Sequence, residues 1–362
     1  MTPLAHEIHG MIAAEGPIPV AHYMRLALCH PVHGYYMTRD PFGARGDFIT
    51  APDISQMFGE LIGLWAASAW PLMGAPEDVR LVELGPGRGT LMADMLRALA
   101  IVPAFRDGLS AHLVEVSPVL RRLQRETLGG LGVPMDWHAD VAELPDGPLI
   151  VIANEFFDAL PVHQAVKAAD GWHERMVGLD GDRLAFGLHP DPVRGLDATL
   201  PPRIRAAANG ALCEWREDQP LAALARRIVE FGGAMLVIDY GHAESGVGET
   251  LQAMSHHGYA DPLAAPGEAD LTAHVDFRAL GRTAATAGAR VHGPITQAEF
   301  LRRLGIVERA TQLKARATAK QASDIDAALA RLIAPGATGM GELFKAIAFS
   351  EPNIDALPGF GA

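Results

Sequence analysis

The apolar run PLIVI breaks at Ala153 into ANEFFDALPV, which sets Asn154, Glu155 and Asp158 among Phe156, Phe157 and Pro161. Carboxylates at the end of a hydrophobic strand can orient a cation or accept a proton while a bond forms. The same residues also suit helix capping, with Asn154 at the cap and Glu155 in the first turn. The flanking aromatic rings and proline, however, indicate a partly dry pocket rather than a solvated turn. A second constellation lies upstream. LVELGPGRGTLMADML places Gly85, Pro86, Gly87 and Gly89 between an apolar run and a helical pattern, with Glu83 two residues before the first glycine. Glycines there let the chain turn tightly and let a ligand approach the main chain beside the unpaired N–H groups of a helix start. The dinucleotide fingerprint would want its third glycine where Thr90 stands, so a different ligand is indicated.

Alternating elements must position these groups. QMFGELIGLWAASAW, TLMADMLRALA and PVLRRLQRETL carry helical spacing, while RLVELG, AHLVEV, MDWHA and PLIVIAN are short, almost continuously apolar strands. That alternation predicts an α/β, doubly wound, Rossmann-like fold whose parallel sheet is covered on both faces. Residues 4–14 and 20–29 predict an N-terminal helical cap, and the segment His30–Ser55 a long functional loop. Antiparallel strands joined by Asp-Gly turns are expected over 163–215, and a loop-rich stretch over Glu249–Phe277. The expected domains are therefore 1–55 (cap and lid loop), 56–162 (cofactor-binding half), 163–215 (insertion) and 216–362 (remainder of the sheet domain).

With 362 residues, 49% of them hydrophobic, the chain can bury a large core, and its net charge of -13 offers no basic field for nucleic acid. Cys29 and Cys213 form no CxxC and suit a reducing compartment. The apolar segment Leu61–Met73 is too short to span a bilayer, so no membrane insertion is expected. The N-terminus lacks the composition of a signal or transit peptide, and a cytoplasmic location is the resulting expectation. His256 and His257 are adjacent and would point apart on an extended chain, so no metal site is expected there.

Gly-x-Gly-x-Gly preceded by Glu83 resembles the first motif of class I S-adenosylmethionine-dependent methyltransferases. That resemblance implies S-adenosyl-L-methionine as cofactor, its methionyl part against the glycine loop, its ribose hydroxyls on Glu115 after the second strand, and its adenine amine near Asp140. NEFFDALPV, GDFITAPDISQMFGE, VIDYG and DPLAAPGEADLTAHVDF together are similar to the MidA-like family, with Asp53 standing where a glutamate would be expected. Its mitochondrial members are complex I assembly factors that methylate an arginine on a core subunit. The resemblance thus implies a protein substrate, a complex I core subunit, whose guanidinium meets Glu155 and Asp158 while Asn154 shapes the turn. Thr50, Ser55 and Gln56 would belong to a lid over the cofactor, Asp239 and Tyr240 end a further strand at the same rim, and His274 and Asp276 share one face if extended. Two rival readings stay open: a methyltransferase acting on a small molecule, marked by an enclosed pocket, and a non-catalytic assembly factor that binds no cofactor.

Overall fold

A computed structural model of the chain describes residues 1–41, 50–217, 219–255, 258–336 and 339–361. Part of the expected lid loop, 42–49, and the pair His256–His257 lie outside the described residues. Two compact units result, one made of Met1–Phe48, Asp158–Glu217 and Glu244–Asp276, the other of Ile49–Phe157, Asp218–Ala243 and Phe277–Ala362.

The second unit is the α/β body. Its strands are β1 (Val79–Leu84), β2 (Leu109–Val114), β3 (Met135–His138), β4 (Leu149–Asn154), β5 (Gly233–His242), β6 (Arg290–Thr296) and β7 (Phe344–Ser350). They pair in the order β6-β7-β5-β4-β1-β2-β3. The run from β5 to β3 is parallel and β7 is antiparallel to both neighbours. All six residues of β4 are buried, which is why it reads as an unbroken apolar run rather than an alternating one. The strand order reverses between β1 and β4, where Leu84 lies opposite Ala153, so the segments leaving those two strands emerge side by side. In doubly wound sheets this switch point, beyond the carboxyl ends of the strands, is where ligands bind.

Helices α1 (Gln56–Ala69), α2 (Thr90–Ala98) and α3 (Pro118–Leu128) start where local chemistry dictates. The Ser55 and Ser117 hydroxyls accept from the amides of Met57 and Leu120, and Pro118 stands at the first helical position, where its missing N–H costs nothing. Gly59 and Gly63 let α1 lie close against α2: a Cβ on Gly63 would come within 2.8 Å of the Met95 Cα. A core of Phe58, Ile62, Trp65, Leu81, Met92, Leu96, Ile150, Leu236 and Phe300 fills this unit, each such side chain contributing about 1.5–3 kcal/mol on burial. Three helices over Gln297–Arg303, Ile306–Lys314 and Ala319–Ile333 were not anticipated, although the last carries a readable capping box of Thr318 and Gln321.

The first unit is built on a five-stranded antiparallel sheet in which Ile18–Pro19, Gly171–Asp180, His163–Ala168 and Leu212–Trp215 follow one another and Arg183–Pro192 pairs with Gly171–Asp180. The helices Pro3–Glu15 and Val20–Cys29 supply Leu4, Ile8, Tyr23, Met24 and Leu28 to its core. The stretch expected to be loop-rich holds a small sheet of Gln252–Ser255, Gly258–Ala260 and Asp270–Thr272. Among the described residues no helix is long and apolar enough to cross a membrane.

Candidate active site

Gly85, Gly87 and Gly89 have φ of 58°, 53° and 82°, so each sits in the left-handed region that only glycine enters without strain. The space over Gly85 is also restricted, since a Cβ there would meet the Phe156 ring at 2.9 Å. Phe156 leaves β4 just as the glycine loop leaves β1, and the two turns pack on each other. The β4 turn is held from β5: Asp239, fully buried, accepts the N–H of Phe156 at 3.2 Å and of Phe157 at 2.9 Å on Oδ2, and its own neighbour Tyr240 N–H at 2.9 Å on Oδ1.

No helix follows Asn154, so the capping alternative for this turn is corrected: β4 runs straight into an irregular turn whose amides are taken by Asp239. Glu155 has φ of 50°, uncommon for a residue with a side chain and a frequent mark of functional sites. Its Oε1 accepts from the Asn154 side-chain amide at 3.1 Å and from the Ala51 backbone N–H at 3.1 Å. Thr50 is joined to the same neighbourhood through Asp53, whose Oδ2 accepts from the Thr50 hydroxyl at 3.2 Å and whose Oδ1 accepts from the Thr90 hydroxyl at 3.5 Å. Ser55 caps α1, and Gln56 donates to Glu60 at 3.3 Å.

Glu83 and Glu115 are both buried. Desolvation lifts the Glu83 carboxyl to about 8; a hydrogen bond from the Met92 backbone opposes the rise and the nearby Glu115 charge adds to it. Its Oε2 finds no hydrogen-bond partner among the described residues. Glu115 is also raised by burial, opposed by hydrogen bonds from the Ser117 backbone, the Gln124 amide and the Val116 backbone. Asp140 is exposed and caps the short helical turn Val141–Glu143, accepting the Ala142 N–H at 2.8 Å. Gln124 was missed by sequence reasoning, because a glutamine inside an amphipathic helix carries no signal of its own. It is fully buried and donates to Gly87 O at 2.7 Å and to Glu115 Oε2 at 3.2 Å.

Asp158, His274 and Asp276 fall in the other unit. Asp158 is buried, and its backbone carbonyl accepts from Ala273 N–H at 3.0 Å and from Arg216 at 3.3 Å. His274 donates its backbone N–H to Thr250 at 2.9 Å, and its carbonyl accepts from Arg216 at 2.9 Å. Among the described residues no group of three or more His, Cys, Asp or Glu is placed to hold a metal ion.

Residues 61–295 match the family model described as "Putative S-adenosyl-L-methionine-dependent methyltransferase". The chain belongs to that family. It is an S-adenosylmethionine-dependent methyltransferase with the class I fold. It is similar over 99% of its length, with a TM-score of 0.84 and 33% identity, to 94% of a crystal structure of a methyltransferase-like protein from Burkholderia thailandensis bound to S-adenosyl-homocysteine. The mitochondrial protein arginine methyltransferase NDUFAF7 homolog of Drosophila melanogaster is 39% identical over 95% of this chain and 84% of its own. The mitochondrial protein arginine methyltransferase NDUFAF7 of Homo sapiens is 39% identical over 84% of this chain and 74% of its own.

The residues of this methyltransferase fit its cofactor on structural grounds: side-chain-free glycines where a main chain must be approached, a buried carboxylate able to accept from a diol, and an orphaned buried carboxyl oxygen suited to a cation. One expectation is overturned. The cytoplasmic location is contradicted by relatives that are named mitochondrial in Drosophila melanogaster, Danio rerio and Homo sapiens. The expectation rested on the composition of the N-terminal residues and on two unpaired cysteines, and neither separates one reducing compartment from another.

Proposed function

We propose that this methyltransferase acts on an arginine of a protein, a core subunit of respiratory complex I undergoing assembly. The observation that carries the reading is the adjacency, at the β1/β4 switch point, of the glycine loop and the Asn154–Glu155 turn. In this reading the loop Gly85–Gly89 receives the methionyl part of the cofactor, Glu83 its cationic end, Glu115 the ribose hydroxyls and Asp140 the adenine amine, with Thr50 closing over it. The bound cofactor supplies an electrophilic methyl on a sulfonium. A guanidinium has a pKa above 12, so its nitrogen attacks only when carboxylates orient it and localise its charge. Glu155 is the acid assigned to that role, and Asn154 holds its carboxylate by its amide. The attacking nitrogen becomes acidic as it bonds to carbon, so a modest base suffices. The net charge of -13 favours approach of a basic segment. The relatives named protein arginine methyltransferases support the choice of target.

The test is incubation with methyl-labelled cofactor and lysate from cells lacking the protein, followed by mass spectrometry. Label on an arginine of a complex I subunit is the expected outcome. Label on a lysine or on a small molecule refutes the arginine assignment.

A further inference from the structure

Gln124, on α3, lies outside the sequence motifs described above, yet it joins both parts of the proposed cofactor site. Its orientation is determined by chemistry. The Trp137 indole, a donor only, gives its N–H to Gln124 Oε1 at 2.9 Å, so the amide nitrogen must face the other way. That nitrogen has two hydrogens, and the structure provides two acceptors, Gly87 O at 2.7 Å and Glu115 Oε2 at 3.2 Å. The other Glu115 oxygen, Oε1, is fixed by the Ser117 backbone N–H at 2.8 Å. The amide is therefore fully satisfied while wholly buried. Trp137 is in turn held by the Arg125 guanidinium 4.9 Å over its ring. A buried amide serving only to fill space would be replaced by an apolar side chain at little cost.

We propose that Gln124 is a positioning residue for cofactor binding: clamped by Trp137, its one amide sets the Gly87 carbonyl of the glycine loop and the Glu115 carboxylate in a fixed mutual arrangement. The inference rests on the reading that the glycine loop and Glu115 hold the cofactor. It predicts that the two halves of the site are coupled through Gln124, so that losing the amide weakens binding without removing a group that touches the ligand.

Calorimetry of the full chain with S-adenosyl-homocysteine tests this. Gln124→Met, matched in volume, should raise the Kd by at least about tenfold, as expected for losing a hydrogen bond to a charged group. Trp137→Phe, which frees the amide to turn over, should raise it in the same direction by a smaller factor. Gln124→Glu gives a readout that packing alone would not move: its binding should recover in part as pH falls from 8 towards 6, because the protonated carboxyl restores one of the two donors, whereas the unmodified protein should bind less well over the same range. Glu115→Ala separates the two levels of the argument. If it loses affinity while Gln124→Met and Trp137→Phe bind as the unmodified protein does, the positioning role is overturned alone. If Glu115→Ala itself binds normally, the reading of Glu115 falls and the inference with it. Should Gln124→Met not fold, unchanged affinity in Trp137→Phe together with a Gln124→Glu pH dependence parallel to that of the unmodified protein overturns the proposal.

Discussion

Replacing Glu83 by glutamine should make the cofactor-free protein progressively more stable than the unmodified one as pH rises. Glu83 is 3% exposed, and its carboxyl is raised from an ordinary 4.5 to about 8 by desolvation. Between those values the folded chain carries a proton there that the unfolded chain has released, so raising pH across this window weakens folding. Each pH unit is worth about 1.36 kcal/mol per proton, so the unmodified protein should lose about 3.5 kcal/mol relative to Glu83→Gln between pH 5 and pH 8, and only a few tenths more above that. A buried amide left short of a partner imposes a roughly constant cost of about 1–3 kcal/mol on the variant, which offsets the curve without changing its slope. Urea unfolding of both proteins at half-unit pH intervals measures the difference. A difference that stays within about 1 kcal/mol from pH 5 to pH 8 would refute the assignment of a neutral, desolvated carboxyl. On the proposed reading the cost has a use: the cationic cofactor restores the ionised form, so binding at pH 7 should release close to one proton, seen as a dependence of the calorimetric enthalpy on buffer, and Glu83→Gln should abolish that dependence.

Four further outcomes are expected. Asp239→Asn replaces one of the two oxygens that accept the Phe156, Phe157 and Tyr240 amides, and should cost about 2–3 kcal/mol in urea unfolding; a loss under about 0.5 kcal/mol would contradict its role in holding the turn. Gly85→Ala must adopt φ of 58° and displace the Phe156 ring, so a loss of at least about 1–2 kcal/mol together with weaker cofactor binding is expected, and unimpaired binding would remove the glycine-loop argument. Glu155→Gln keeps an oxygen for the Ala51 and Asn154 donors, so the melting temperature should barely move while methyl transfer falls by about 10²–10⁴; full activity would exclude Glu155 from the chemistry. His112 is held by burial at about 4, next to His138 and Ser110 at 3.0 Å each, so the folded chain binds fewer protons than the unfolded one from pH 6.5 down to 4. Stability should fall by about 2–3 kcal/mol over that range, and His112→Phe should lose this part of the acid sensitivity.

Much of the body was legible because its signals are local. Continuous apolar runs at β1, β2 and β4 mark strands buried on both faces, and Pro118 behind Ser117 marks a helix start, so those elements fall within a residue or two of expectation. The glycine spacing likewise announced a tight turn, which is built from three left-handed positions. Groups defined by distant partners were hidden. Asp239 holds a turn more than eighty residues earlier in the chain, and Gln124 joins a loop thirty-seven residues upstream to a strand end nine residues upstream. Neither relation leaves a trace in periodicity. The capping reading of Asn154 failed for a related reason: the amides it would have capped are satisfied by a carboxylate from another strand, so no helix is needed to satisfy them.

The buried acids at this end of the sheet differ in how many donors the fold gives them, and that difference sorts their roles. Asp239 receives three backbone N–H groups and fixes a turn. Glu115 receives the Ser117 and Val116 backbones and the Gln124 amide, which oppose its desolvation and hold its carboxylate in a set orientation. Glu83 receives the Met92 backbone, its Oε2 is left without a hydrogen-bond partner among the described residues, and desolvation lifts its carboxyl to about 8. Donors stabilise the charged form, so withholding them leaves a carboxyl that is neutral until a cation arrives. A fold that merely tolerated a stray acid would surround it with donors or replace it by an apolar residue. Placing the carboxyl with the fewest donors beneath the glycine loop, and the most fully bonded one beneath the β4 turn, is the distribution expected if the first is to receive a positive charge and the second to stay still.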